Sequence, residues 1–200
     1  MPKVKRLILG ITGGIASGKT TVMRILAGRG IPTVSADELA HSCIRRGRPA
    51  YRTIVRRFGT GILGPDSQIN RQRLGAIVFD DRKKRKILEK IVHPCVVKGL
   101  RSFIKSHNRG IIALDIPLLF EAKLQQLVDK TVVVYCTPKQ QIARLRRRTY
   151  LSRSEAFARM RTQMSLAQKR RKADLVLMNT HGRAALLPQI HGMYDDLRDM

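Results

Sequence analysis

Gly13-Gly14-Ile15-Ala16-Ser17-Gly18-Lys19-Thr20 has the clearest chemical consequence in this chain, because it satisfies G-x-x-x-x-G-K-[ST] in full. Gly13 and Gly18 permit a backbone course and a close approach that a Cβ would obstruct. The amides of Gly14, Ile15, Ala16 and Ser17, and those of the following turn through Thr21, are expected to converge on phosphate oxygens. Lys19 is expected to neutralise the β and γ oxygens of ATP, and the Thr20 hydroxyl to ligate Mg²⁺. Transfer to a hydroxyl acceptor also needs a base. Asp37, in Ser35-Ala36-Asp37, is the candidate, with the competing role of N-cap to a helix starting at Glu38. Asp115 ends the apolar run Ile111-Ile112-Ala113-Leu114 and is a second candidate for the metal's shell. Ile116-Pro117 follows it, so the adjacent second carboxylate that motor ATPases use to activate water is missing.

The elements that must hold these residues alternate between strand and helix. Short apolar runs at Arg6 to Ile11, Ile31 to Ser35, Ile111 to Ile116, Thr131 to Cys136 and Leu175 to Met178 read as buried parallel strands. Thr20 to Ala27 has helical spacing and stops at Gly28 and Gly30. Helical patterns cover Glu38 to Arg46, Ala50 to Phe58, Arg71 to Val78, Arg82 to Val92 and Cys95 to His107, with Pro94 expected to break the last two apart. The fold class is therefore α/β: a P-loop NTPase-type parallel sheet flanked by helices, with an inserted helical domain. The core is expected at 6–37, 110–138 and 173–200, the insert at about 38–108, and a lid at about 139–172. That last stretch holds 12 basic residues and one acid, Glu155. Arg144, Arg147 or Arg148, and Arg159 recur on one or two helical faces. Two or three of them are expected to balance charge on the transferring group while the lid excludes water.

At 200 residues with 43% apolar content, the chain suffices for one sizeable core. Cys43, Cys95 and Cys136 are odd in number and widely spaced, which reads as buried reduced thiols in a cytoplasmic protein. Lys3, Lys5 and Arg6 precede Leu7-Ile8-Leu9 in the manner of an export signal, but Thr12-Gly13-Gly14 ends that run early, and no stretch has the ~20 apolar residues of a membrane span. The formal charge of +26 favours polyanions or phosphorylated small molecules as partners. Aromatic content of 4% without tryptophan argues against a single-strand binder, leaving nonspecific polyanion association.

Thr12 to Thr21, followed by Ser35-Ala36-Asp37-Glu38-Leu39-Ala40-His41, resembles the opening of the dephospho-CoA kinase family. The likeness continues through Arg73 to Phe79, His93-Pro94, Ile116 to Glu121, Gln141, Arg144-Leu145, Arg148, Gln163, Ala173-Asp174 and Asn179, spanning about residues 7 to 182. The resemblance implies a P-loop core, a helical acceptor-binding domain and a lid, acting on dephospho-CoA with ATP and Mg²⁺. It implies Asp37 as base, Lys19, Arg144 and Arg148 as catalytic charges, His41, His93 and Leu118 beside the acceptor, and Asn179 near the adenine. Two departures stand out: Ser35 where the family commonly has a first Asp, and Ala16 where it often has Gly. Without the resemblance, another small-molecule P-loop kinase and a nucleic-acid-associated P-loop ATPase remain open.

Overall fold

A computed structural model describes residues 6–79 and 81–198; Lys3 and Lys5 lie outside them. In chain order the elements are β1 (Leu7–Gly13), α1 (Lys19–Gly28), β2 (Thr33–Ser35), α2 (Ala36–Cys43), α3 (Pro49–Phe58), α4 (Arg71–Phe79), α5 (Arg82–Ser106), β3 (Ile111–Asp115), β4 (Lys130–Tyr135), α6 (Pro138–Thr149), α7 (Arg153–Arg161), α8 (Leu166–Lys172), β5 (Leu175–Met178) and α9 (Arg183–Arg198). The chain forms two compact units, residues up to Ser35 with those from Ile104 onward, and Ala36–Phe103.

The first unit is an α/β sheet fold. Its five parallel strands lie in the order β2-β3-β1-β4-β5. Leu9 and Ile11 of central β1 are fully buried with Val132 and Val134 of β4. They pack with Val22, Met23 and Leu26 of α1 and with Leu186, Ile190, Met193 and Leu197 of α9. Each such side chain contributes about 1.5–3 kcal/mol by leaving water. The α9 residues follow steps of four, three and four, a helical period that the sequence reading passed over. Because β3 and β4 flank β1, the register Ile11 to Asp115 and Gly13 to Val134 sets three strand ends side by side. That is where ligands collect in open parallel sheets.

At the far side of the sheet, the Asp174 carboxylate accepts from the Thr131 amide (2.7 Å) and hydroxyl (2.6 Å), while the Asp174 amide donates back to that hydroxyl (3.0 Å). These bonds, the side-chain one foremost, hold the carboxyl below its ordinary value of 3.8. The stabilisation is therefore complete above pH 3.8 and is lost as pH falls through the lower folded-state value. For this exposed group it amounts to about 1 kcal/mol after solvent screening. The gap in unfolding free energy between wild type and Asp174→Asn is expected to close on acidification. A gap that stays constant into acid contradicts the assignment.

The second unit is helical, built around buried Ile54, Ile62, Ile69 and Leu74. Two expectations are corrected here. Helix α5 runs unbroken through Pro94. Proline disfavours but does not forbid helix before it, and this helix is anchored on both sides, by Leu88, Ile91 and Val92 before Pro94 and by buried Val96 and Leu100 after it. Cys43 and Cys95, expected as reduced thiols, form a disulfide across 52 residues with Cα atoms 6.1 Å apart. The close approach of α2 to α5 brings them together: a Cβ on Gly99 would lie 2.9 Å from Leu39 Cδ2. Cys136 alone is a free buried thiol.

Candidate active site

The loop between β1 and α1 occupies the carboxyl end of the central strand, and its backbone is held by four side chains from three other segments. Gln163 Oε1 accepts the Ile15 amide (3.1 Å), and Gln141 of α6 donates to the Ile15 carbonyl (2.7 Å). Asn179, just past β5, donates to the Ser17 carbonyl (2.8 Å), and Arg144 reaches the same oxygen at 3.4 Å and the Asn179 carbonyl at 2.9 Å. Two glycines are required by this crowding. A Cβ on Gly14 would stand 2.6 Å from Gln141 Nε2, and Gly18, at φ 101°, has Asn179 Nδ2 against it. Ala16 holds a left-handed φ of 59°, which costs an L-residue about 1–2 kcal/mol. That cost accounts for the glycine often found at this place in the family it resembles.

With Ile15's amide taken by Gln163 and Ser17's by the Gly14 carbonyl, the amides of Gly14 and Ala16 have no acceptor among the described residues, and neither do those of Gly18, Lys19 and Thr20. The last three open α1, where such donors and the helix dipole favour an anion. Lys19 Nζ pairs with Asp115 Oδ1 at the end of β3, both largely shielded from water. Ser17 Oγ is buried and unpartnered among the described residues. The Thr20 hydroxyl and the Asp115 carboxylate are hard oxygen donors of the kind that would suit Mg²⁺. No cluster of three His, Cys, Asp or Glu forms a cage among the described residues.

The other expected residues fall as follows. Arg148 is exposed on α6, one turn beyond Arg144, and Leu118 is 39% exposed in the segment after β3. Asp37, His41 and His93 belong to the helical unit and are all exposed. Helix α2 begins at Ala36, so Asp37 lies inside its first turn, and its role as N-cap to a helix starting at Glu38 is corrected. The Arg71 guanidinium lies 3.0 Å from His41 Nε2. Three successive capping boxes, Thr137 with Gln140, Ser152 with Glu155, and Ser165 with Gln168, start α6, α7 and α8.

Sequence reading did not single out Lys169, whose side chain is wholly buried. Its ammonium donates to the Pro117 carbonyl and pairs with Glu121. Burial pushes its pKa down, against the opposing pull of Glu121. No local pattern marks such a residue, because a basic run in a helix ordinarily faces solvent.

The sheet, the loop and the Lys19–Asp115 pair define a nucleotide-binding α/β protein of the P-loop class. A family model described as Dephospho-CoA kinase matches residues 7–184. Among curated relatives, the Dephospho-CoA kinase of Carboxydothermus hydrogenoformans is 48% identical over 86% of this chain and 85% of its own, and that of Bacillus cereus 44% over 86% and 88%. A crystal structure from Thermus thermophilus superposes with TM-score 0.82 at 31% identity, covering 96% of this chain and 98% of that one. A Dephospho-CoA kinase from Campylobacter jejuni gives 0.71 at 27%, covering 97% and 98%. The chain belongs to the dephospho-CoA kinase family.

Proposed function

We propose the following division of labour for the family's reaction, ATP-dependent phosphorylation of the ribose 3′-hydroxyl of dephospho-CoA to give coenzyme A and ADP, the last step of coenzyme A synthesis. The observation that carries it is the Lys19–Asp115 pair beside the loop amides without acceptors that lead into α1. When ATP enters, the Lys19 ammonium turns from Asp115 to the β and γ oxygens; Asp115 and Thr20 would then be the residues to hold Mg²⁺. Mg²⁺, when bound, neutralises charge on those phosphates. Gln141, Gln163, Asn179 and Arg144 hold the loop in place beforehand, so that little reorganisation accompanies reaction. Arg144 acts through the Ser17 and Asn179 carbonyls that it bonds, while exposed Arg148 is left to balance charge on the transferring group.

The helical unit takes the acceptor, through Asp37, His41 and His93, with Leu118 contributing from the core. Asp37 orients the 3′-hydroxyl and receives its proton. Residues 139–172 act as the water-excluding lid. We place the enzyme in the cytoplasm on its ATP supply alone, since the Cys43–Cys95 pair removes reduced thiols as a reason for that compartment; no helix among the described residues is long and apolar enough to cross a membrane. The 40 basic residues are assigned only sequence-indifferent, salt-sensitive attraction to nucleic acid. A sequence-selective complex that survives high salt contradicts that assignment. The deciding experiment incubates the protein with ATP, Mg²⁺ and dephospho-CoA and locates the new phosphate. Phosphate at the ribose 3′ position is expected; phosphorylation elsewhere, or ATP hydrolysis without transfer, overturns the reading.

A further inference from the structure

Lys169 is the largest fully buried side chain among the described residues. An ammonium in that position requires partners, and its partners trace a circuit. The Ile15 amide donates to Gln163 Oε1 (3.1 Å). The next residue, Met164, donates its amide to Glu121 Oε1 (2.8 Å). The same oxygen faces Lys169 Nζ at 3.0 Å. Lys169 donates to the Pro117 carbonyl (2.5 Å), which also accepts from the Thr12 hydroxyl (3.0 Å). Thr12 leads by covalent chain through Gly13 and Gly14 back to Ile15, so the ring closes around the first half of the phosphate loop.

We propose that Lys169 is a positioning residue for phosphoryl transfer: with Glu121 it closes this ring and holds three segments in one register, the loop at Ile15, the connection between α7 and α8, and the segment after β3. It does not touch the phosphates, since its ammonium is committed to Pro117 and Glu121. Pro117 stands two residues beyond Asp115, the partner of Lys19, so slack in the ring is passed to both charged groups that meet ATP. Displacements of about 1 Å in such groups cost rate by about 10²-fold. Lys169 is also within electrostatic reach of Lys19. A neutral replacement therefore leaves Glu121 uncompensated and opens the ring in one step.

The proposal rests on the loop being the ATP site, a reading that Lys19→Ala tests independently. The experiment compares Lys169→Met, Thr12→Val and their double variant, well below each thermal midpoint, with kcat and both KM values measured. Lys169→Met is expected to lower kcat about 10- to 100-fold and to raise KM for ATP, with KM for dephospho-CoA near wild type. Thr12→Val, opening the same ring elsewhere, is expected to lower kcat about fivefold, and the double variant to be no slower than Lys169→Met alone, because an open ring cannot be opened again. A residue that merely fills the core would instead lower the folded fraction and leave kcat per folded molecule unchanged. A folded Lys169→Met with kcat within about twofold of wild type, or losses that multiply in the double variant, overturns the proposal. Should Lys169→Met fail to fold, Glu121→Gln with Thr12→Val forms the same cycle, and multiplied or absent losses there overturn it equally.

Discussion

Lys19→Ala is expected to lower turnover by about a thousandfold while secondary structure and most of the folded population persist. The magnitude follows from where the ammonium sits. Lys19 and Asp115 side chains are only 13% and 15% exposed, so a charge there acts in a medium much less screening than water. In the transition state the γ-phosphoryl oxygens concentrate negative charge, and Lys19 is the one cationic side chain within the loop, while Gln141, Gln163, Arg144 and Asn179 around it are bonded to the loop backbone. Removing Lys19 also takes a cation away from the Asp115 carboxylate, whose repulsion of the incoming phosphates then compounds the loss. Lys19→Met, closer in volume, separates charge from packing and is expected to be as inactive as alanine. The measurement is kcat per folded molecule, with folding monitored by circular dichroism. A folded Lys19→Ala protein with wild-type turnover removes the loop from the chemistry.

Asp37→Asn is expected to cut kcat by about 10²- to 10⁴-fold, the usual worth of a positioned base, with ATP affinity retained. The structure sharpens this test. Because α2 begins at Ala36, Asp37 stabilises the helix only as a first-turn carboxylate next to Glu38, an effect of about 0.3–1 kcal/mol on the helix dipole. Asp37→Asn and Asp37→Ala are therefore expected to lose the same activity and to melt within a few degrees of wild type, about what such an energy moves the midpoint of a chain this long. Ser35, where the family commonly has a first Asp, leaves no neighbouring carboxylate in that tripeptide to substitute for Asp37. If Asp37→Asn turns over dephospho-CoA at a near-normal rate, the proton goes elsewhere, and Asp115 is the next carboxylate to replace.

What was legible in the chain itself is what short-range physics decides. Strands buried on both faces need runs such as Leu7-Ile8-Leu9 and Val132-Val133-Val134, and each expected strand lies within two residues of an observed one. The phosphate loop was readable because its requirements fall within eight consecutive residues. The capping boxes of α6, α7 and α8 likewise join residues three apart. The tertiary structure decided whatever depends on approach between distant segments. Cys43 meets Cys95 only because α2 packs on α5, a contact that spacing in the chain does not encode. Pro94 lies inside one helix because packing on both of its sides outweighs a local preference. The backbone carbonyls that Arg144 and Asn179 bond could not be read from the chain, since a side chain's partner is set by the space around it. Lys169 is the sharpest case: it sits in a run of four basic residues that a sequence assigns to solvent, yet the turn of α8 points this one inward, where Glu121 and Pro117 from 48 and 52 residues away offset the cost of its burial.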